Sequence, residues 1–178
     1  MGKKKVRFLV PLALFALLIA ACSKAPLRIP LKDFDVKVKA TTPTGGKVIY
    51  PKTAAKFDKP VLNVKTISLA GEVTPEATAK SGSMTITFYA RVDDPKDAGC
   101  KDLEVIWVCD KEKEKPISER TTLTYGQANP IQLGHPNADI LADGLNQGSI
   151  WIGAEIESGL SADTTLHFRK MIASVTVF

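Results

Sequence analysis

Ser83-Met84-Thr85-Ile86-Thr87-Phe88-Tyr89-Ala90-Arg91-Val92 is the stretch on which the fold turns. Apolar and polar residues alternate through it, the period of a strand whose two faces meet different surroundings. Met84, Ile86, Phe88, Ala90 and Val92 face inward, and Thr85, Thr87, Tyr89 and Arg91 face outward. β-Branched and aromatic residues of this kind fit a pleated surface. Asp93-Asp94-Pro95 ends the run.

Similar patterns lie on both sides of it. From Leu31 to Ala40, Phe34, Val36, Val38 and Ala40 alternate with Asp33, Asp35, Lys37 and Lys39, which predicts an antiparallel strand with one wet face. Thr42-Pro43-Thr44-Gly45-Gly46 reads as a turn before a short strand from Lys47 to Tyr50. Val61 to Val73 changes parity near Lys65, the mark of a bulge or break. Leu103 to Cys109 is apolar on both parities and predicts a central strand covered on both sides. Ser149 to Glu157 alternates again, and Thr164 to Phe178 is a long last strand with a bulge expected at Arg169-Lys170. One segment reads as helix, with Asn137 before it, Leu141 and Leu145 four apart, and Gly148 to end it. About eight or nine strands at short spacing predict an all-β fold: a single β-sandwich, immunoglobulin-like or jelly-roll, with one short helical insertion. Its expected core includes Phe34, Val36, Ile86, Phe88, Trp107 and Ile152.

The beginning of the chain carries a different signal. Lys3, Lys4, Lys5 and Arg7 precede an apolar run from Phe8 to Ala21, and Ile19-Ala20-Ala21-Cys22 closes it. A basic region, a short apolar core and small residues at a cleavage site make a secretory signal peptide. The 14 apolar positions from Phe8 to Ala21 fall short of the roughly 20 needed to cross a bilayer as a helix. With the Cys directly after the small residues, the segment resembles the lipobox of bacterial lipoproteins. That resemblance covers residues 1–22 alone. It implies cleavage before Cys22, lipidation of Cys22 and attachment to the cell membrane or outer membrane. Ser23 stands where an Asp would argue for inner-membrane retention, so the resemblance favours the outer membrane where there is one. The organisation expected is then a signal peptide over 1–21, a lipidated Cys and tether over 22–30, and the β-sandwich domain over 31–178.

Charge excludes one class of function. The whole chain of 178 residues carries a formal net charge of +5, but without Lys3, Lys4, Lys5 and Arg7 the balance drops to +1. The basic character belongs mostly to the signal peptide, and nucleic acid is not an expected partner.

Cys100 and Cys109 are the two cysteines of the domain, and an even count in an oxidising compartment suggests a disulfide. A straight strand from Leu103 to Cys109 would oppose it. Such a strand keeps the two Cα atoms roughly 10 Å apart, beyond the limit of about 7 Å for a bridge. Either the strand bends or begins later, or the thiols stay free.

Catalytic signatures are sparse. His135 lies in a loop and His167 on the outward parity of the last strand, and neither has a second ligand at metal spacing. Asp93, Asp94, Asp97 and Asp102 cluster without the spacing of a calcium loop, and Lys96 and Lys101 lie among them. Glu155 and Glu157 share a strand face, as carboxylates flanking a sugar would, but also as any polar sheet face does. No catalytic residue, metal or cofactor is assigned. Tyr89 and Trp151 are the candidate binding residues, since both lie on outward parities. Together they could form a stacking platform for a sugar or a partner; alternatively, they cover a second layer of the sandwich. The function expected is a non-enzymatic binding or assembly module of the cell envelope, held to the membrane by lipid, with an envelope protein or glycan as partner. A surface carbohydrate-binding module is the second reading and an envelope hydrolase the third.

Overall fold

A computed structural model describes residues 26–39, 45–56, 58–77, 82–160 and 162–177. Cys22 and the expected signal peptide lie outside these residues. So do Ala40 and part of the expected turn at 42–46. The architecture is a single β-sandwich of two antiparallel sheets with one short helix.

The first sheet contains β1 (Leu27–Pro30), β2 (Phe34–Val38), β5 (Val64–Ala77), β11 (Asn129–Leu133) and β13 (Thr164–Val177). β13 lies beside β5, which lies beside β11, while β1 and β2 follow each other along the free side of β13. The second contains β3 (Lys47–Pro51), β4 (Ala55–Lys56), β6 (Ser83–Arg91), β7 (Lys101–Leu103), β8 (Ile106–Asp110), β9 (Lys115–Pro116), β10 (Thr121–Thr124) and β12 (Ser149–Ser158). Its main path runs β10-β6-β12-β3-β8-β7. Leu27–Pro30, at the end of the expected tether, is thus a strand hydrogen-bonded to β13.

The central stretch behaves as its alternation predicts. Met84, Ile86, Phe88 and Ala90 are buried between the sheets, against Val73, Leu123, Ile131, Ile156 and Phe168. Both expected bulges are present. Val64 and Thr66 pair with consecutive residues of β13, so Lys65 is the extra residue. In β13 the register shifts between Arg169 and Ile172, with Lys170 at a positive φ of 53°. The bulge seats Met171 against Gly71, where any Cβ would collide with the Met171 sulfur.

The helix α1 (Ala138–Gln147) follows Asn137 and ends at Gly148, whose φ of 81° lets its N–H reach the carbonyls of Gly144 and Leu145. Ile140, Leu141 and Ala142 are buried, and Asn146 binds both the N–H and the C=O of Val64. This side-chain clamp ties the helix to the first residue of β5.

Three expectations are corrected. Leu103 to Cys109 is a hairpin at the sheet edge, since the chain reverses at Glu104, which takes a φ of 41°. Phe34 and Val36 are 44% and 41% exposed, because β2 is an edge strand that the facing sheet leaves uncovered. Trp107 and Ile152 are half-buried beside the core clusters.

Candidate binding face of the sandwich

The outward side of β6 sets the geometry of the candidate site. Pairing with β12 sets Trp151 opposite Arg91, Gly153 opposite Tyr89 and Glu155 opposite Thr87. β3 continues the face with Val48 and Tyr50, which pair with Cys109 and Trp107 of β8. Gly153 is required here: a Cβ would stand 2.6 Å from the Tyr50 ring and 2.7 Å from the Ile49 carbonyl oxygen. Its bare backbone lets the Tyr50 ring lie across β12.

The hairpin correction makes the disulfide. Reversal at Glu104 pairs Lys101 with Val108, which brings the Cα atoms of Cys100 and Cys109 to 4.5 Å, and the two are bridged. The objection from a straight strand fails because there is no straight strand. Cystines belong to chains that fold where thiols are oxidised. Among the described residues, no helix is long and apolar enough to cross a membrane.

Two carboxylates are sunk into this outer face, each held by a cation and a tyrosine. The Arg91 guanidinium donates to Glu114 at 3.0 Å, and the Tyr50 hydroxyl donates to the same carboxylate at 2.7 Å. The same guanidinium nitrogen lies 3.5 Å from the Cys100 sulfur and 3.8 Å from that of Cys109. Glu155, 1% exposed, accepts from Lys111 at 3.0 and 3.1 Å, from the Tyr89 hydroxyl at 3.2 Å and from the Gly46 N–H at 2.7 Å. Burial raises the Tyr50 hydroxyl above the ordinary phenol value, and the Glu114 carboxylate adds to the effect. Burial, then the charge of Glu155, pushes Tyr89 up to about 12. Cys100, Cys109 and Glu114 have ligand atoms within 4.8 Å of one another, but the bridge consumes both thiols.

Tyr89 is therefore corrected as a binding residue. It is 6% exposed and its hydroxyl is bonded to Glu155, so its ring offers no stacking surface. Trp151 shares the face but is half-buried in the same layer. Its indole N–H is buried and has no hydrogen-bond partner among the described residues. Trp107 is topped by the Lys52 ammonium, 3.8 Å from the ring centroid. The aromatic rings thus form the second layer and not an open platform.

The remaining candidates are dispersed. His135 is exposed, with Glu119 3.5 Å away. His167 lies on the opposite outer face, 2.9 Å from Asp35 and 3.0 Å from Glu76. The acidic loop does not converge: Asp94 accepts from the Lys96 N–H and Asp102 pairs with Lys52. The Arg91–Glu114 and Lys111–Glu155 pairs were not foreseen. Lys111 and Glu114 lie in a run of alternating charge, Asp110 to Lys115, with the pattern of a solvated hairpin tip, and only the outward parity shared by Tyr89, Arg91 and Glu155 points to a polar layer.

No family model matches the sequence, and no curated protein matches it. Similar solved structures include a chain from the structure of infectious bursal disease virus strain Gt, at 16% identity and a TM-score of 0.38. The match covers 85% of this chain and 33% of that one, so the present chain spans about a third of the viral chain. The xylan-binding module CBM15 matches at 10% identity and a TM-score of 0.41, over 85% of this chain and 98% of that one. A chain from Bacillus endospore appendages, described as disulfide-linked pili, matches at 12% identity and a TM-score of 0.32, over 88% and 94%.

Proposed function

We propose that the chain is exported, anchored through a lipidated Cys22, and acts in the cell envelope as a non-enzymatic binding or assembly module. The observation that carries the compartment is the Cys100–Cys109 bridge, a bond that cytosolic chains seldom keep. It agrees with the signal-peptide pattern ending in Ile19-Ala20-Ala21-Cys22. Support for binding over catalysis comes from how the buried carboxylates are used. Glu114 and Glu155 are each neutralised by a cation and held by a tyrosine, so neither is a base poised toward an open site. A glycan is the second reading for the partner, met through the part of the Trp151 side chain that stays exposed on this face.

Cys22→Ser is the direct test. Mass spectrometry of the wild-type protein should find an acylated N-terminal Cys22 in the membrane fraction. The variant should keep its disulfide and its β-sheet spectrum while being misprocessed or released. A wild-type protein that begins elsewhere, or carries Cys22 unmodified, overturns the anchor. Loss of glycan retention in Trp151→Ala, with the melting point unchanged, would select the glycan reading.

A further inference from the structure

We propose that one end of the sandwich rests on the lipid surface that holds Cys22, through Leu27, Ile29, Val61 and Leu62 with Arg28 and Lys59 around them. This rests on the lipid-anchor reading and adds an orientation to it. The pairing brings these residues to one end. Leu27 and Ile29 pair with Val175 and Ala173 near the end of β13, and Val64 pairs with Val177 on the other side of that strand. Val61 and Leu62 belong to the loop that leads into Val64. All four apolar side chains are exposed, and Val61 is fully so at 101%.

Chain length ties this end to the anchor. Five residue steps separate Cys22 from Leu27. At full extension they reach at most about 18 Å, so a lipid on Cys22 keeps Leu27 close to the bilayer. The composition suits a lipid headgroup region: apolar tips enter the interface, and Arg28, Lys56 and Lys59 meet anionic phosphates. Asp58 is the acidic residue among them. A protein partner adding a strand to this edge is less well served. Pro30 offers no N–H, and Lys32 and Lys37 are exposed along the same edge. Two separated loop and strand tips also make a poor flat protein interface, but they enter a fluid surface readily.

The test uses the mature protein extracted from membranes and returned to vesicles of phosphatidylethanolamine and phosphatidylglycerol. An environment-sensitive dye is placed by Leu62→Cys, or by Gln127→Cys in the turn between β10 and β11 at the other end. The dye at position 62 should shift to the blue and be quenched by nitroxide-bearing lipids, and the dye at 127 should show neither effect. Replacing Val61 by Ser should weaken the quenching at 62 without changing the melting point. Equal or absent quenching at both positions, with an acylated Cys22 still holding the protein in the vesicle, overturns the orientation and leaves the anchor intact. Cross-linking of position 62 to an envelope protein instead of lipid also overturns it. An unmodified Cys22 overturns both.

Discussion

On the outer face built by β6, β12 and β3, Glu114 and Glu155 lie beneath the surface, each with a cation and a tyrosine as partners. On the opposite outer face, built by β2, β13 and β5, the same groups stand in water. His167 bridges Asp35 and Glu76, Arg169 binds Asp35 at 2.8 Å, and Lys170 binds Glu72 at 3.0 Å. Both faces pair carboxylates with cations distant in sequence. Only the first removes the carboxylates from solvent, so that losing the cation strands a buried charge. The second is screened, and its pairs contribute little. One sheet face has become a polar second core; the other is an ordinary solvated surface.

The largest expected effect is that of breaking the buried pair at its cation. Arg91→Ala leaves Glu114 buried with only the Tyr50 hydroxyl, and should cost about 3–5 kcal/mol in urea denaturation. Arg91→Met combined with Glu114→Gln should recover much of that loss, since no charge is then stranded. A loss below about 1 kcal/mol for Arg91→Ala would put this face in the same class as its opposite.

Next is Tyr89→Phe. Removing a hydroxyl bonded to Glu155 should cost about 1 kcal/mol at neutral pH, because Lys111 and the Gly46 N–H remain on the carboxylate. The alkaline side sharpens the comparison. In the folded protein Tyr89 is pushed up to about 12, above the ordinary phenol value of 10. Its contribution is therefore complete below pH 10 and is lost as pH rises toward 12. Tyr89→Phe should show a shallower fall in stability across that window, measured by denaturant midpoints at stepped pH. An unchanged slope would mean that the hydroxyl is not sequestered.

How far the sequence reaches follows the range of each interaction. β6 and both bulges were legible because alternation and its breaks are local, as Lys65 and Arg169-Lys170 show. The hairpin at Glu104 was not legible. A Glu-Val turn carries none of the Gly or Asn that announces a reversal, and the apolar run looked continuous. That single miss hid the disulfide geometry. Phe34 and Val36 have the alternation of a buried strand, but their cover depends on where β2 falls in the sheet. The polar second core was hidden for the same reason, since Arg91 meets Glu114 from 23 residues away, across a pairing that no local pattern encodes.

The smallest effect is expected at the solvated face, and it should appear in pH dependence before it appears in stability. Hydrogen bonds from His167, then from Arg169, hold the Asp35 carboxyl below its ordinary value. A depressed carboxylate contributes stability that is present above the unfolded value and is lost as pH falls through the folded one. His167→Gln removes the largest cause, so Asp35 should titrate closer to an ordinary aspartate, followed by its side-chain carbon resonance in NMR. The melting point at neutral pH should stay where it is, because Asp35 keeps Arg169 and water can replace the imidazole. A melting point lowered as far as by Arg91→Ala would show that exposure does not separate the two faces. Cooperative packing through Phe34, stacked on Phe168 at 4.6 Å in the same two strands, would then be the feature to pursue.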